Sequence, residues 1–600
     1  MRKNNSWALT PVKRSHLIST NGVGSLVRLR NGATGLVAGL RSWIHTIPVP
    51  VGDQHLQDTA RQTFLEQYKV RDPELESACG VSKFYQPPRA SEYEKLLEWQ
   101  IPVIVFPRSG ICENFRCGAI GQKMEDTGLD AECKSCDPVA AGKRKRLHRQ
   151  KQAPIFLVCP DGHIDEVVWD AGFKHKDDCL GGPLSAILTG SIRSPRVKCV
   201  SCDGTGKVPK SLPCTGARPW IPGIANEKCQ REMFVVDRTS VQVYYPQIKT
   251  SIHVPAKSGI NIAIVDWILF HMPIELLNPN DQANMIFIKN SLTQAGFSVD
   301  TADTKLHVEH IKHVTSPKFI AVPWDFLKAR THELNVITDE IPNFISPDYK
   351  LLEFHNADLS QLDRELFGND GLFSKVVAVT RLTETRVQDG FVRWEPREVS
   401  SDAGHTLMWG HHRTADSWLP AYRAHGEGIL FVLNKKRITK WASLCGMPNP
   451  MNDLLEPKKL SYPGVLAHSL AHLIMTRLSH NCGYPLPSIS DRIYDLPDGR
   501  HAFLVYTAES DIMGTLGGLV EFGEGPKLEE LVRESLQDAL WCSQDPVCIG
   551  RVVDSSTKRA ACCHKCLYLP ETSCEWMNLY LDRATIIGNS DRKLNGIIQR

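Results

Sequence analysis

The sequence predicts a mixed α/β (α+β) protein of several domains: an N-terminal half stapled by zinc, a central mixed α/β domain and a C-terminal zinc-binding domain. Three observations carry the prediction. The chain has 600 residues and is 42% hydrophobic, far more than one core needs, and at roughly 100 to 200 residues per unit it should form three to five domains. Many of its 19 cysteines fall in close pairs with one another or with histidine, which in so long a chain suits tetrahedral metal sites better than a disulfide framework. Between Cys229 and Cys445 no cysteine occurs, and the composition there is that of an ordinary hydrophobic core.

In chain order, residues 1–108 open strand-like. Gly22, Gly24, Gly32, Gly35 and Gly39 punctuate short runs such as Ser25-Leu-Val-Arg-Leu-Arg30, in which apolar and polar positions alternate. Leu56 to Tyr68 reads as a helix, and Pro102 to Pro107 as a strand leading into the first cysteine cluster. Residues 109–250 are dense in Cys, Gly, Pro and Lys with few long periodic segments, as small metal-stapled loops require. In the central domain, residues 251–455, Asp281 to Gln294 is helix-like, while Ile262 to Phe270 and Ile429 to Leu433 suit either strands or buried helices. The last domain, residues 456–600, opens on a helix from Pro463 that carries His468 and His472 on one face. It continues through a strand, Ala502 to Thr507, and a glycine turn, Gly514-Thr-Leu-Gly517-Gly518, to a second helix, Lys527 to Leu540, that ends beside Cys542.

Charge and hydropathy exclude some classes. A net charge of +3 from 70 basic and 67 acidic residues is too balanced to imply nucleic acid by itself, so any DNA contact must come from a local patch. The N-terminus shows no apolar run of the signal-peptide kind. Ile262 to Phe270, the longest apolar stretch, is broken by Asp266 and has about half the length of a membrane span. A soluble, cytoplasmic protein with no membrane partner is expected.

Spacing suggests four ligand sets. Cys112-x4-Cys117 and Cys133-x2-Cys136 form the plainest. Cys159-x3-His163 and His175-x3-Cys179 make a palindromic second. Cys199-x2-Cys202 with Cys214 and Cys229 makes a third, and Cys542, Cys548, Cys563 and Cys566 a fourth, with Cys562, His564 and Cys574 close enough to replace one member. Zinc takes four such ligands at about 2.0 to 2.3 Å, and a site filled by protein leaves no place for an activated water. Three or four structural zinc ions are therefore expected. His468 and His472 lack the glutamate of the H-E-x-x-H pattern and read as helix-packing residues.

Lys143, Arg144, Lys145 and Arg146 begin a run of six basic residues in nine. With Arg28 and Arg30 these are the candidates for phosphate contact, although such runs are usually solvated loops. Catalytic signatures are wanting. Gly204-Thr-Gly206-Lys207 has Ser201 and Val208 where a phosphate loop needs Gly and Ser or Thr. His310-x-Lys312 has Pro317 where a phospholipase D-type set needs aspartate, and no G-x-S-x-G elbow occurs. No catalytic residue and no organic cofactor is expected.

Two sets of motifs carry a resemblance. Ser490-Asp491-Arg492-Ile493-Tyr494, Tyr506-Thr507-Ala508, Cys542-Ser-x-Asp545-Pro546-x-Cys548, Ala561-Cys-Cys563-His564-x-Cys566, Pro570-Glu571-Thr-x-Cys574-Glu575 and Leu581-Asp582-Arg583 resemble the C-terminal zinc-binding domain of MrfA-type DNA repair helicases. Arg14-Ser-His-Leu-Ile-Ser-Thr-Asn-Gly22-Val-Gly24, Cys159-Pro-Asp-Gly-His163, Arg218-Pro219-Trp220 and Arg238-Thr-Ser240-Val-Gln-Val-Tyr244-Tyr-Pro246 resemble the DrmB subunits of bacterial DISARM anti-phage systems. The resemblance implies a non-catalytic partner of a DrmA-like superfamily 2 helicase, acting on DNA with a functional link to a DNA methyltransferase. It also implies zinc thiolates at Cys542, Cys548, Cys563 and Cys566, with Cys562 leaving the register open by one residue. The rival from another class is a zinc-dependent nuclease of phage DNA, using Cys159, His163, His175 and Cys179 with Asp161 or Asp165 as base. A zinc-bound assembly platform without DNA contact is a third reading.

Overall fold

The computed structural model describes residues 14–29, 32–44, 69–70, 79, 84–87, 101–114, 117–121, 133, 148–188, 195–252, 264, 267–268, 271–273, 276–315, 326–338, 352–395, 401–412, 414, 417–445, 460–508, 518–551 and 559–598. Over these the chain is a mixture of helices and mostly antiparallel sheets, as expected. It divides into two compact units, each gathered from three stretches. The first takes Met1–Val70, Val81–Lys249 and Arg386–Tyr422, and the second takes Arg71–Gly80, Thr250–Thr385 and Arg423–Arg600. Among the described residues no helix is long and apolar enough to cross a membrane.

The first unit is built from small sheets. Leu26–Arg28, Thr34–Val37 and Val103–Val105 form one antiparallel sheet in that order, and Leu184–Ile187, Arg196–Cys199 and Thr205–Lys207 form another. A four-stranded sheet has the order Ser211–Pro213, Glu232–Asp237, Ile155–Val158, Ile164–Asp165. Every residue of Ile155–Val158 is buried, as a central strand with apolar side chains on both faces must be. Ile155, Leu157, Val197, Met233 and Val235 join in one core.

Arg393, fully buried, organises the motifs that carried the DrmB resemblance. Its Nε donates to the carbonyl of Gly162 at 2.9 Å and its Nη2 to that of Gly24 at 2.7 Å, while Nη1 donates to Val243. The guanidinium lies 5.1 Å from the Trp220 ring centroid and 4.9 Å from that of Phe391. Burial draws its pKa down to about 9. Three fixed carbonyl dipoles and two aromatic faces thus replace the lost water shell. Gly22 and Gly24 are glycines for lack of space: a Cβ would stand 2.3 Å from Oε1 of Gln388 at the first and 2.5 Å from the Phe391 ring at the second, whose φ is +77°.

In the second unit a sheet sets His501–Ala508 between Ile489–Asp495 and the later residues of Leu419–Leu433, antiparallel to both, with Gly426 opposite Ala508. The helix Tyr462–Cys482 packs against it and is buried nearly all round, so its apolar residues form no stripe. Ser461 caps this helix by accepting from the Gly464 N–H at 3.2 Å, and Gly483, at φ +74°, ends it. Asp495 ties that cap to the sheet, accepting from the Ser461 N–H and hydroxyl at 2.6 and 2.7 Å. Helix Gly525–Ala539 is amphipathic, with Leu528, Leu531, Val532 and Leu536 turned inward.

The expected helix at Asp281 to Gln294 is Gln282–Gln294 with Asp281 as its cap, and Ile429 to Leu433 is strand. Of Ile262 to Phe270 only Ile264, Trp267 and Ile268 are described, and they are helical. The helix expected at Leu56 to Tyr68 and the turn glycines Gly514 and Gly517 lie outside the described residues.

A buried ionic group crosses this unit. Arg492 donates from Nε to Glu333 at 2.8 Å, from Nη2 to the same carboxylate, and from Nη1 to Thr250 at 2.8 Å. Arg330 pairs with Glu575, which also accepts from the Ile493 N–H at 3.1 Å. Burial pushes the Glu333 carboxyl up, but Arg492 and Arg330 outweigh it and hold the group below the usual carboxylate range. Glu333→Ala should therefore cost about 3 to 5 kcal/mol, because it strands a buried guanidinium. The fall should be read from urea or thermal unfolding of the full chain. Glu333→Leu with Arg492→Met should recover most of that loss, whereas equal damage in the single and double variants would disprove this account.

Candidate metal centres

A tetrahedral ion with sulfur arms of about 2.3 Å sets its ligands about 3.8 Å apart, or about 3.5 Å between sulfur and nitrogen. Disulfide sulfurs stand at about 2.05 Å. These edges are the measure for every cluster, since the described cysteines are all free of disulfides.

Cys159, His163, Cys214 and Cys229 converge, with all ligand atoms within 4.8 Å of one another. The four-stranded sheet explains why. Cys159 follows the strand Ile155–Val158 and His163 precedes Ile164–Asp165; Cys214 follows Ser211–Pro213 and Cys229 precedes Glu232–Asp237. Each pair thus spans the link of a hairpin. The strands nearest the middle pair directly, Phe234 opposite Val158, so both links meet at one end of the sheet. Cys159 Sγ stands 3.8 Å from Cys229 Sγ, and Cys214 Sγ 3.5 Å from Nδ1 of His163. The Asp161 and Gly216 N–H groups donate to the Cys159 and Cys214 sulfurs at 3.4 and 3.3 Å. His163 Nε2 faces Glu227 at 3.4 Å, which leaves Nδ1 to face the sulfurs. Burial holds its imidazole below the ordinary value and so in the neutral, ligating form.

His175, Cys179, Cys199 and Cys202 form a second group. Cys199 closes the strand Arg196–Cys199, and the turn to Thr205–Lys207 presents Cys202. Nδ1 of His175 lies 3.4 Å from Cys179 Sγ and 3.8 Å from Cys202 Sγ. The N–H groups of Lys176 and Gly204 donate to Cys202 and draw its thiol down to about 6. Gly204 thus belongs to this turn and Thr205–Lys207 to the strand after it: a Cβ on Gly206 would meet the Phe173 ring at 2.7 Å, and that ring packs edge-on against His175.

These two groups correct the pairing read from spacing. Cys159 and His163 meet Cys214 and Cys229, not His175 and Cys179, while Cys199 and Cys202 meet His175 and Cys179. Linear proximity paired neighbours, whereas the sheet pairs hairpins. The ligand set suggested for a nuclease is thereby divided between two centres. Of its candidate bases, Asp161 faces Arg231 at 3.6 Å and Asp165 accepts from the Thr215 hydroxyl at 2.7 Å.

Cys542, Cys548, Cys563 and Cys566 form the third group. Sγ separations are 3.5 Å for Cys542 and Cys563, 3.7 Å for Cys548 and Cys566, and 3.8 Å for Cys563 and Cys566, each near a tetrahedral edge. Burial pushes the Cys548 thiol up to about 12, so its sulfur ionises only with a cation close by. Cys562 stands outside this group, 3.6 Å from the Tyr568 hydroxyl, which fixes the register left open by the sequence. Arg583 secures the surroundings through the Ala539 carbonyl at 3.1 Å and the Asp545 carboxylate. Cys112, Cys117 and Cys133 gather as well, with Cys117 and Cys133 sulfurs 3.7 Å apart. Their expected fourth member, Cys136, lies outside the described residues, as do Lys143, Arg144, Lys145, Arg146 and Arg30. Arg28 is described, exposed on its strand.

Metal counting distinguishes the two groupings. Cys159→Ser combined with Cys214→Ser should cost one equivalent of metal, since both belong to one centre, while Cys199→Ser combined with Cys214→Ser should cost two. Elemental analysis of the purified full chain gives the answer, and the reverse ordering would restore the linear pairing.

A family described as a domain of unknown function (DUF8724) matches residues 13–245, a span that includes both interleaved centres of the first unit. The chain is 26% identical over 537 residues to the DISARM protein DrmB of Bacillus paralicheniformis, covering 82% of this chain and 90% of that protein. Over most of its length, this chain is similar to the DISARM protein DrmB, the likeness its motifs suggested.

Proposed function

We propose that this chain is a non-catalytic, zinc-binding subunit of an anti-phage defence complex of the DISARM kind, working in the cytoplasm beside a DrmA-like superfamily 2 helicase and helping that partner to hold DNA. The likeness to DrmB along 82% of this chain and 90% of that protein carries the reading. The thiolate-rich centres support it, because sites with four protein ligands are structural in kind. Zinc is the ion their donor chemistry suits best, and a functional link to a DNA methyltransferase comes with the DISARM reading. The C-terminal segment takes the part of an MrfA-type zinc-binding domain, with Cys542, Cys548, Cys563 and Cys566 as its ligands.

Leu540, Trp541 and Val547 stand exposed around Cys542, and large exposed apolar side chains of this sort suit a protein partner. Co-expression with a DISARM helicase subunit tests the proposal. The two should purify together, and ATP turnover should follow the helicase and respond to DNA. Trp541→Ser should lower recovery of the helicase without altering metal content. ATP turnover or DNA cleavage by this chain alone would overturn the proposal and favour an enzyme such as the zinc nuclease.

The basic run gives a second measurement. Replacing Lys143, Arg144, Lys145 and Arg146 by alanine should flatten the salt dependence of DNA binding by the assembled complex, lowering the log–log slope by about 0.9 for each phosphate that is no longer neutralised. An unchanged slope would take these residues off the DNA path and leave an assembly platform without DNA contact.

A further inference from the structure

His468 and His472 stand four residues apart on the helix Tyr462–Cys482 and point the same way. They meet Asp491, in the middle of the strand Ile489–Asp495, and Cys574, which follows the short turn Glu571–Ser573. All four are buried, both histidines at 0% exposure, Asp491 at 3% and Cys574 at 5%. Nε2 of His468 lies 3.2 Å from Cys574 Sγ and 3.2 Å from Oδ2 of Asp491, and Nε2 of His472 lies 3.2 Å from the same oxygen. A tetrahedral ion with nitrogen and oxygen arms of about 2.0 Å has edges of about 3.3 Å.

The surrounding hydrogen bonds fix which atoms carry protons. Nδ1 of His472 stands 2.7 Å from the carbonyl of Leu567, and Nδ1 of His468 stands 3.2 Å from that of Tyr580. A carbonyl only accepts, so each Nδ1 bears the hydrogen and each neutral ring turns a bare Nε2 inward. Oδ1 of Asp491 accepts from the Glu575 N–H at 2.7 Å, leaving Oδ2 to face both rings, and the Cys574 sulfur accepts from the Asn578 N–H at 3.2 Å. Atoms with lone pairs therefore confront one another in a buried pocket. Protonating both rings would answer this only by setting two buried imidazolium ions against each other, their ring centroids 4.5 Å apart. A divalent cation answers it neutrally, since the carboxylate and one thiolate balance its charge.

We infer that His468, His472, Asp491 and Cys574 form a further, closed metal site with zinc as its resident ion, separate from the four-cysteine centre. It serves structure rather than catalysis, because four protein ligands, all of them buried, fill the coordination sphere. Its effect is to fasten the C-terminal segment to the long helix and to the neighbouring strand. Leu567 couples it to the other centre: the residue before it, Cys566, belongs to the four-cysteine group, while its own carbonyl orients His472. The inference stands independently of the proposed defence role.

Crystals of the full chain, purified without chelators, test this directly. Anomalous difference maps collected above and below the zinc edge should show a peak within about 2.0 to 2.3 Å of both Nε2 atoms, Asp491 Oδ2 and Cys574 Sγ. Peaks at the other centres with none here would overturn the inference in favour of a hydrogen-bonded cluster. In solution, His472→Gln and Cys574→Ala should each remove one equivalent of zinc, and adding Cys542→Ser should remove a second. Folded variants that keep the full complement would likewise overturn it.

Discussion

The constraint that the rest depends on is electrostatic: electron-rich sulfur and nitrogen atoms are held about a tetrahedral edge apart in both units, where thiol contacts alone are weak. One cation replaces several such contacts with coordinate bonds and joins segments that the backbone leaves separate. In the first unit it would join hairpin to hairpin.

Charges buried away from these centres are satisfied by other means. Arg393 meets three backbone carbonyls and two aromatic faces without any carboxylate. Arg492 and Arg330 share two carboxylates, so that group balances without a metal ion. The difference is one of pre-arrangement. Two of the carbonyls around Arg393 belong to Gly24 and Gly162, both at positive φ, and the third to the short turn Val241–Val243, whereas the glutamates are side chains that packing must bring together.

Much of this was legible in the sequence. Periodicity marked the helices beginning near Asp281, Pro463 and Lys527 and the strands near Pro102 and Ala502, because each is long or bounded by proline, glycine or a capping residue. The residue types at the metal centres were legible for the same local reason, a close pair within one turn. Their partnership was not, since Cys159 and Cys229 are brought together by the pairing of Ile155–Val158 with Glu232–Asp237, a long-range fact. His468 and His472 read as packing residues from their setting alone. A pair of histidines on an apolar helix looks like packing until Asp491, 19 residues beyond His472, and Cys574, 106 beyond His468, arrive beside them. The i and i+4 histidines together with an unassigned cysteine in Pro570-Glu571-Thr-x-Cys574 were the available signal.

Each compact unit is collected from separated stretches of chain, and this bears on how the protein emerges from a ribosome. The interleaved centres between Cys159 and Cys229 can close while synthesis is still under way. Arg393, which grips Gly24, Gly162 and Val243, arrives 150 residues after the last of these. The early half must therefore wait without its keystone, and no truncation at a single point yields either unit free of the other.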